Sequence, residues 1–299
     1  MSENKKNDSA KQLRPDATMA KKGKGGLVIK VLIYVLCISL AILSIMPFLI
    51  MVVNATRSTT EIQQHAISLI PSKYLASNFK ILVGKSFNPL SGFVNSMIIS
   101  TCATICTVYF STLTAYALVA YEWKLKKPFF AFIMAIMMIP SQLVSIGFYQ
   151  FIYKINLTNN FLPLILPAIA APTCVFFMRQ FMIPSLHIDV INSARIDGAK
   201  EFYTFNKIVL PIMKPAIATQ AIFSFVSSWN NLFLPMILLT RQEKYTMPIM
   251  VSLLKGDIYK TEYGSIYLGL ALTVLPLFVV YFLLSKYIIA GVALGGVKE

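Results

Sequence analysis

Six stretches of this sequence, at about residues 31–53, 93–121, 128–153, 155–178, 215–240 and 263–285, contain no Asp, Glu, Lys or Arg. Each is near or above the roughly 20 residues that an α-helix needs to cross hydrocarbon. The runs are long and continuously apolar rather than alternating over about 10 residues, which argues against a transmembrane β-barrel. The whole chain agrees: 57% of its residues are hydrophobic and 13% charged, against about a quarter charged in soluble domains. The expected fold is an all-α membrane protein with six transmembrane helices. The first run is too long for a signal-peptide core and lacks a small-residue cleavage site, so it is read as a span.

The net charge of +15 raises the question of a nucleic-acid partner, and its placement answers it. Of the 27 Lys and Arg residues, 18 fall in the tail and loops on the side of the amino terminus and 9 on the opposite side. By the positive-inside rule both termini are expected in the cytoplasm. The basic segment KKGKGGLVIK then sits against anionic head groups, at about 1 kcal/mol per charge, and no nucleic acid is required. Residues 1–26 are polar and without periodicity, a disordered basic cytoplasmic tail, and 27–299 form the transmembrane domain. The exterior loop 54–91 has room for a short interfacial helix around IQQHAISLI, and YTMPIMVSLL in 241–262 for a re-entrant or interfacial one.

Within the spans the residues that are missing are informative. No Asp, Glu or His occupies a central position, where ion-coupled transporters commonly carry a relay group. The segment VGKS at 83–86 is not a phosphate loop, because that motif needs a glycine at position 79, which is Phe79. No nucleophile with a base, paired-carboxylate site or HExxH motif supports an intramembrane enzyme. Cys37, Cys102, Cys106 and Cys174 all fall in spans, where a thiol behaves as a small hydrophobe, so neither a disulfide nor a metal site is expected. Pro47, Pro140, Pro163, Pro167, Pro172, Pro235 and Pro276 kink the spans, as a moving transporter requires; proline is also simply commoner in membrane helices. The fifth span carries Gln220, Ser224, Ser227 and Ser228. It ends in Trp229, Asn230 and Asn231, whose aromatic face and amides suit a neutral hydroxylated solute in a translocation path.

One polar segment interrupts this pattern, at about 184–214, on the side counted as cytoplasmic. Asp189 is placed to cap a short helix VINSARI, Gly198 falls where a helix ends in left-handed backbone, and AKEFYTFNKIV forms a second helix that Pro211 closes. The result is a surface helix-turn-helix with apolar stripes facing the bundle or something docked beneath it.

Ala194, then Ile196-Asp197-Gly198-Ala199, then Leu210-Pro211 resemble the coupling loop of binding-protein-dependent ABC importer permeases. That loop begins Glu-Ala-Ala, continues to Asp-Gly-Ala and ends in Leu-Pro. Here the first three positions hold Asn192, Ser193 and Ala194, so only the last matches. FVNSMIIS, TAYALVAYEWKLKK, MMIP, SFVSSWNNLFLP and the terminal GVALGGVKE are similar to the sugar-importer branch, particularly the smaller permease subunit of maltose-type systems. The resemblance spans nearly all the chain after the tail. It implies a noncatalytic, multi-pass subunit of the bacterial cytoplasmic membrane that imports a sugar or oligosaccharide. It also implies a second homologous permease, two ATPase subunits that bind ATP and magnesium in this chain's stead, and an extracellular solute-binding protein. Asn192, Ser193, Ala194, Asp197, Gly198, Ala199, Leu210 and Pro211 would meet the ATPase, and Gly295, Gly296 and Lys298 would reach it from the tail. The competing readings are a stand-alone secondary transporter or channel for a small polar solute and a membrane scaffold; the surface helix-turn-helix and the lack of intramembrane acids disfavour the first.

Overall fold

The computed structural model describes residues 24–84, 88–254 and 261–296, and no strand occurs among them. The chain divides into two units, Met1–Pro47 and Phe48–Glu299. The described residues of the first unit belong to one helix, α1 (Lys24–Ala55), which runs on into the second. Because α1 starts at Lys24, the last three residues of the expected tail are helical; residues 1–23 lie outside the described residues.

Two short helices follow, α2 (Thr59–Gln64) and α3 (Leu75–Gly84). The helix expected around IQQHAISLI is displaced upstream, for a local reason. Ser58 accepts from the Glu61 amide while the Glu61 carboxylate accepts from the Ser58 amide, a reciprocal cap that sets the start of α2. Arg57, only 6% exposed, then donates to the carbonyls of Glu61 and His65 at 2.8 and 2.7 Å and to Asn54 Oδ1 at 3.0 Å. Two carbonyls near the end of α2 are thereby occupied, and residues 65–71 run without helix.

Asn88 caps α4 (Pro89–Ala120), the second span. The third expected run is not one helix: it is split into α5 (Lys126–Ile136) and α6 (Ser141–Lys154), of 11 and 14 residues. Pro140 lacks the amide that would carry the ladder across, and the chain before it tightens, with Met138 bonding back to Ala135 and Ile139 to Ile136. The fourth run forms α7 (Leu162–Ile165), a 3-10 turn at Leu166–Ile169 and α8 (Pro172–Ser185). Beyond it lie α9 (Ile188–Ile196), α10 (Glu201–Thr204), a π turn at Phe205–Val209 and α11 (Leu210–Ile212). The fifth run is α12 (Lys214–Trp229) and α13 (Phe233–Leu238), followed by a 3-10 turn at Gln242–Lys244, α14 (Met247–Leu253) and α15 (Tyr263–Gly296). Among the described residues four stretches are long and apolar enough to cross a bilayer, Val28–Ala55, Pro89–Ala120, Leu162–Ser185 and Tyr263–Leu283. A fifth is added if Glu201–Ile212 and Lys214–Trp229, bent by 81°, count together. The six expected crossings are therefore not matched one for one.

Helix α4 is the axis of the second unit, packed against α8 and α12, while α12 also packs against α15. Its buried face is built of small residues, among them Gly92, Ser96, Ser100, Ala103, Thr107, Ser111 and Ala115, which let neighbouring helices approach closely in the absence of a hydrophobic driving force between them. The segment α14, expected as a re-entrant or interfacial helix, is buried through Met247, Ile249, Met250 and Val251. At the same end, Asn78 donates to the carbonyls of Ala55 and Arg57, both at 2.9 Å, and Ser265 donates to the Asn78 carbonyl at 3.0 Å. The start of α15 is thus drawn so close that a Cβ on Gly264 would lie 2.4 Å from the Arg57 carbonyl oxygen. Backbone cannot yield as a flexible side chain can. Gly264→Ala is therefore expected to destabilise the fold by about 1–3 kcal/mol, the usual range for overpacking, read as a lowered thermal midpoint of the detergent-solubilised protein.

Candidate functional site

The polar segment folds as two helices joined through Gly198. Helix α9 begins after His187, which makes no side-chain cap bond, and Asp189 sits in the first turn rather than at the cap. There its charge still complements the positive end of the helix dipole. The helix ends in a Schellman motif: the Gly198 amide bonds to the Arg195 carbonyl at 3.0 Å and the Ala199 amide to the Ala194 carbonyl at 2.9 Å. Gly198 has φ +82°, the left-handed backbone that motif needs. One side of α9 is anchored, since Ile191 and Ala194 are buried. Asn192, Ser193, Asp197 and Gly198 are exposed on the other side, with Ala199 partly covered.

The second helix does not stop at Pro211. It runs from Glu201 to Ile212, with the π turn at Phe205–Val209 immediately before Leu210 and Pro211. A proline ring clashes with the carbonyl four residues back, here Lys207, and the wider turn accommodates that ring without ending the helix. Leu210 is half-buried and Pro211 exposed. Phe205 and Val209 face inward and join Tyr116, Met178, Met182, Leu186, Ile191 and Met213 in one apolar cluster. The outward residues are unusual for a polar surface: Ile196 is 86%, Phe202 71% and Tyr203 57% exposed. Tyr203 also lines a concavity of about 500 Å³, with Asp197, Gly198, Ala199, Lys200 and Ile208 among others.

At the root of the loop lies a polar cluster that local pattern did not signal. One Glu201 oxygen accepts from Arg195 Nε at 2.8 Å, and the other accepts from the hydroxyls of Tyr116, at 3.1 Å, and Tyr121. The Arg195 guanidinium also lies 5.1 Å from the centroid of the Tyr121 ring and donates to Asn192 Oδ1 at 3.3 Å. The Tyr121 hydroxyl, then Arg195, hold the Glu201 carboxyl below the usual carboxylate range.

The residues expected along a translocation path separate in the structure. Trp229 is 1% exposed; its ring stacks on Phe225 and meets Phe93 edge-on, and its Nε1–H donates to the Thr273 carbonyl at 3.0 Å. It is a core residue that ties the end of α12 to α15. Asn230 and Asn231 are exposed where α12 ends. Asn231 lines a cavity of about 430 Å³ together with Gln220, Ser224, Ser227 and Ser228 of α12, opposite Ala103 and Thr107 of α4. These α12 positions follow the spacing of one helix face, while Ala218, Ile222, Phe225 and Trp229 form its buried apolar face. That spacing was available in the sequence as the signal of the whole stripe. A larger cavity of about 710 Å³ lies at the breaks in the third and fourth runs, but Ile136, Pro140, Phe148, Pro167, Pro172 and Leu234 give it a mainly apolar wall. Gly295 and Gly296 are the last residues of α15, and Lys298 lies outside the described residues.

Residues 107–293 match the family described as binding-protein-dependent transport system inner membrane component. The arabinooligosaccharides transport system permease protein of Halalkalibacterium halodurans is 33% identical, over 87% of this chain and 93% of its own length. The lactose transport system permease protein of Rhizobium radiobacter is 29% identical, over 86% and 92%. Among solved structures, a chain of a bacterial ABC transporter involved in the import of the acidic polysaccharide alginate superposes with a TM-score of 0.75 at 20% identity, covering 88% of this chain and 98% of that one.

The joint at Gly198 carries its own test. A Cβ there would touch nothing within 4 Å, so the constraint is backbone conformation alone. Gly198→Val should cost about 1–2 kcal/mol at this turn and be seen as faster amide hydrogen exchange across 188–212, with protection in α4 and α12 unchanged.

Proposed function

The chain belongs to the family of binding-protein-dependent transport system inner membrane components, and from that premise we propose that it is a membrane-spanning permease subunit of an ABC importer for a sugar or oligosaccharide. It forms half of the translocation pathway and takes its energy from a separate ATPase. The observation that carries this reading is the exposed apolar face of the helix-turn-helix, Ile196, Phe202 and Tyr203. Large apolar side chains gathered on a loop next to a concavity are suited to a protein partner rather than to water. Asn192, Ser193, Ala194, Asp197, Gly198, Ala199, Leu210 and Pro211 surround or support that face, and Gly295, Gly296 and Lys298 extend the contact from the carboxyl end.

The rest of the assembly follows from what one chain cannot supply. A second homologous permease provides the other half of the path, two ATPase copies bind ATP and magnesium, and an extracellular solute-binding protein delivers the solute. The solute side is the stripe of Gln220, Ser224, Ser227 and Ser228 on α12 with Asn231 just beyond its end, whose hydroxyls and amides suit the alternating donors and acceptors of a neutral sugar. With the loop in the cytoplasm, closure of the ATPase dimer shifts α9 and the helix beyond it, and α4 and α12 move with them to expose the stripe to one side and then the other. The arabinooligosaccharide and lactose relatives support a carbohydrate solute.

Two measurements test this. Ile196→Asp combined with Phe202→Ser removes the apolar face without touching the spans, and it should lower the amount of co-purified ATPase by at least about tenfold, a loss of roughly 1.4 kcal/mol or more, with unchanged membrane content of this chain. Undiminished co-purification overturns the docking assignment. For orientation, Lys200→Cys in a background without the four native cysteines should react with a membrane-impermeant maleimide only after the cells are permeabilised; labelling in intact cells overturns it.

A further inference from the structure

We propose that Glu201 is the positioning residue through which displacement of the loop reaches α4, acting on a ladder of tyrosines along that helix. The inference rests on the reading of the loop as the element that meets the ATPase, and it identifies where the force enters the membrane domain.

Tyr109 and Tyr116 lie two turns apart on one face of α4, and Tyr121 follows at its C-cap. The second loop helix is set into this ladder. Phe205 packs between the first two rungs, 5.5 Å from the Tyr109 ring and 5.7 Å from the Tyr116 ring. Asn206 Oδ1 accepts from the Tyr109 hydroxyl at 3.4 Å. Glu201 takes the other two hydroxyls on one oxygen and Arg195 of α9 on the other. A single carboxylate therefore joins both helices of the loop to the end of α4.

The remaining loop contacts are of another kind. Ile191, Val209 and Met213 meet Met178, Met182 and Leu186 through apolar surface, which resists separation but tolerates sliding. Hydrogen bonds to an ionised carboxylate are directional and about twice as strong as neutral ones, so they fix the register of loop on helix. From Tyr116 the same rigid helix reaches Thr107 and Ala103 on the cavity wall and, further on, Asn95, whose amide donates to the carbonyls of Glu243 and Tyr245 at 2.8 and 3.0 Å. One rod thus connects the loop, the polar cavity and the segment at its far end. The lowered proton affinity of Glu201 keeps the link charged at neutral and mildly acidic pH. Its contribution is present above the ordinary carboxylate value and is lost as pH falls through the depressed one.

The test uses the complex purified with its ATPase, and a single cysteine at Ser227→Cys on the cavity stripe. Reactivity of that cysteine with a hydrophilic maleimide is measured with and without ATP and vanadate. In otherwise wild-type protein, trapping should change the rate by at least about fivefold, the lower end of ordinary coupling between sites. Glu201→Gln should abolish most of that change while ATPase content and hydrolysis stay as in wild type. Glu201→Asp, which keeps the charge, should restore part of it. Tyr121→Phe, which removes one donor and leaves the loop sequence intact, should give an intermediate loss. A full response in Glu201→Gln overturns the proposal and leaves the docking assignment standing. Loss of ATPase content in Glu201→Gln and Tyr121→Phe alike also overturns it, since the cluster would then serve only to build the docking face. Absence of any ATP-dependent change in the otherwise wild-type complex overturns both readings together.

Discussion

Hydrocarbon offers no hydrogen bonds, so every backbone amide and carbonyl within it needs a partner from the protein or from an internal cavity. That requirement governs this structure more than any individual contact. It explains why the regular structure of the described residues is all helix, and it restricts where helices can break. The breaks at 137–140 and 170–171 lie on the wall of the larger cavity, and α12 ends at the smaller one. Where the chain turns outside regular helix, side chains complete the pairing. Asn159, in left-handed backbone, accepts from the amides of Thr240 and Arg241 through Oδ1, and its own amide bonds to the Leu238 carbonyl. Arg57 and Asn78 do the same for the turn after α1.

The same requirement decides what could be read from the sequence. The uncharged runs locate membrane helices because hydropathy is summed over a whole span. The sum is blind to a local interruption, which is why 128–153 reads as one helix although Pro140 and the tight turn before it divide the run. Gly198 was legible because a glycine after an amphipathic stretch has one common use. Asp189 was misread as a cap because its residue type suits two neighbouring positions, and only the backbone chooses between them. Trp229 looked like a pathway residue by its company with Asn230 and Asn231, yet as the last residue of α12 it turns into the core while the two amides beyond it are exposed. The stripe through Gln220, Ser224, Ser227, Ser228 and Asn231 was legible by spacing.

Glu201 was not legible at all. Its partners Tyr116 and Tyr121 are 85 and 80 residues away, and nothing local distinguishes it from a solvated glutamate at the start of a helix. Long-range polar pairs are invisible to pattern because neither residue needs an unusual neighbour. The family likeness carried the overall reading past this limit, since the order Asp197-Gly198-Ala199 to Leu210-Pro211 points to the loop without explaining how it is held.

The π turn at Phe205–Val209 has a consequence for phase. A π turn holds one residue more than an α turn, and each residue of an α-helix advances the side chains by about 100°. Removing one residue from 205–209 would restore regular winding and accept Pro211 less well. It would leave the residues before it in phase with those after it, because the π turn holds its additional residue within a single turn. The additional residue therefore serves to seat Pro211, while the end of the helix at Glu201 and the end at Ile212 hold one angular setting across it.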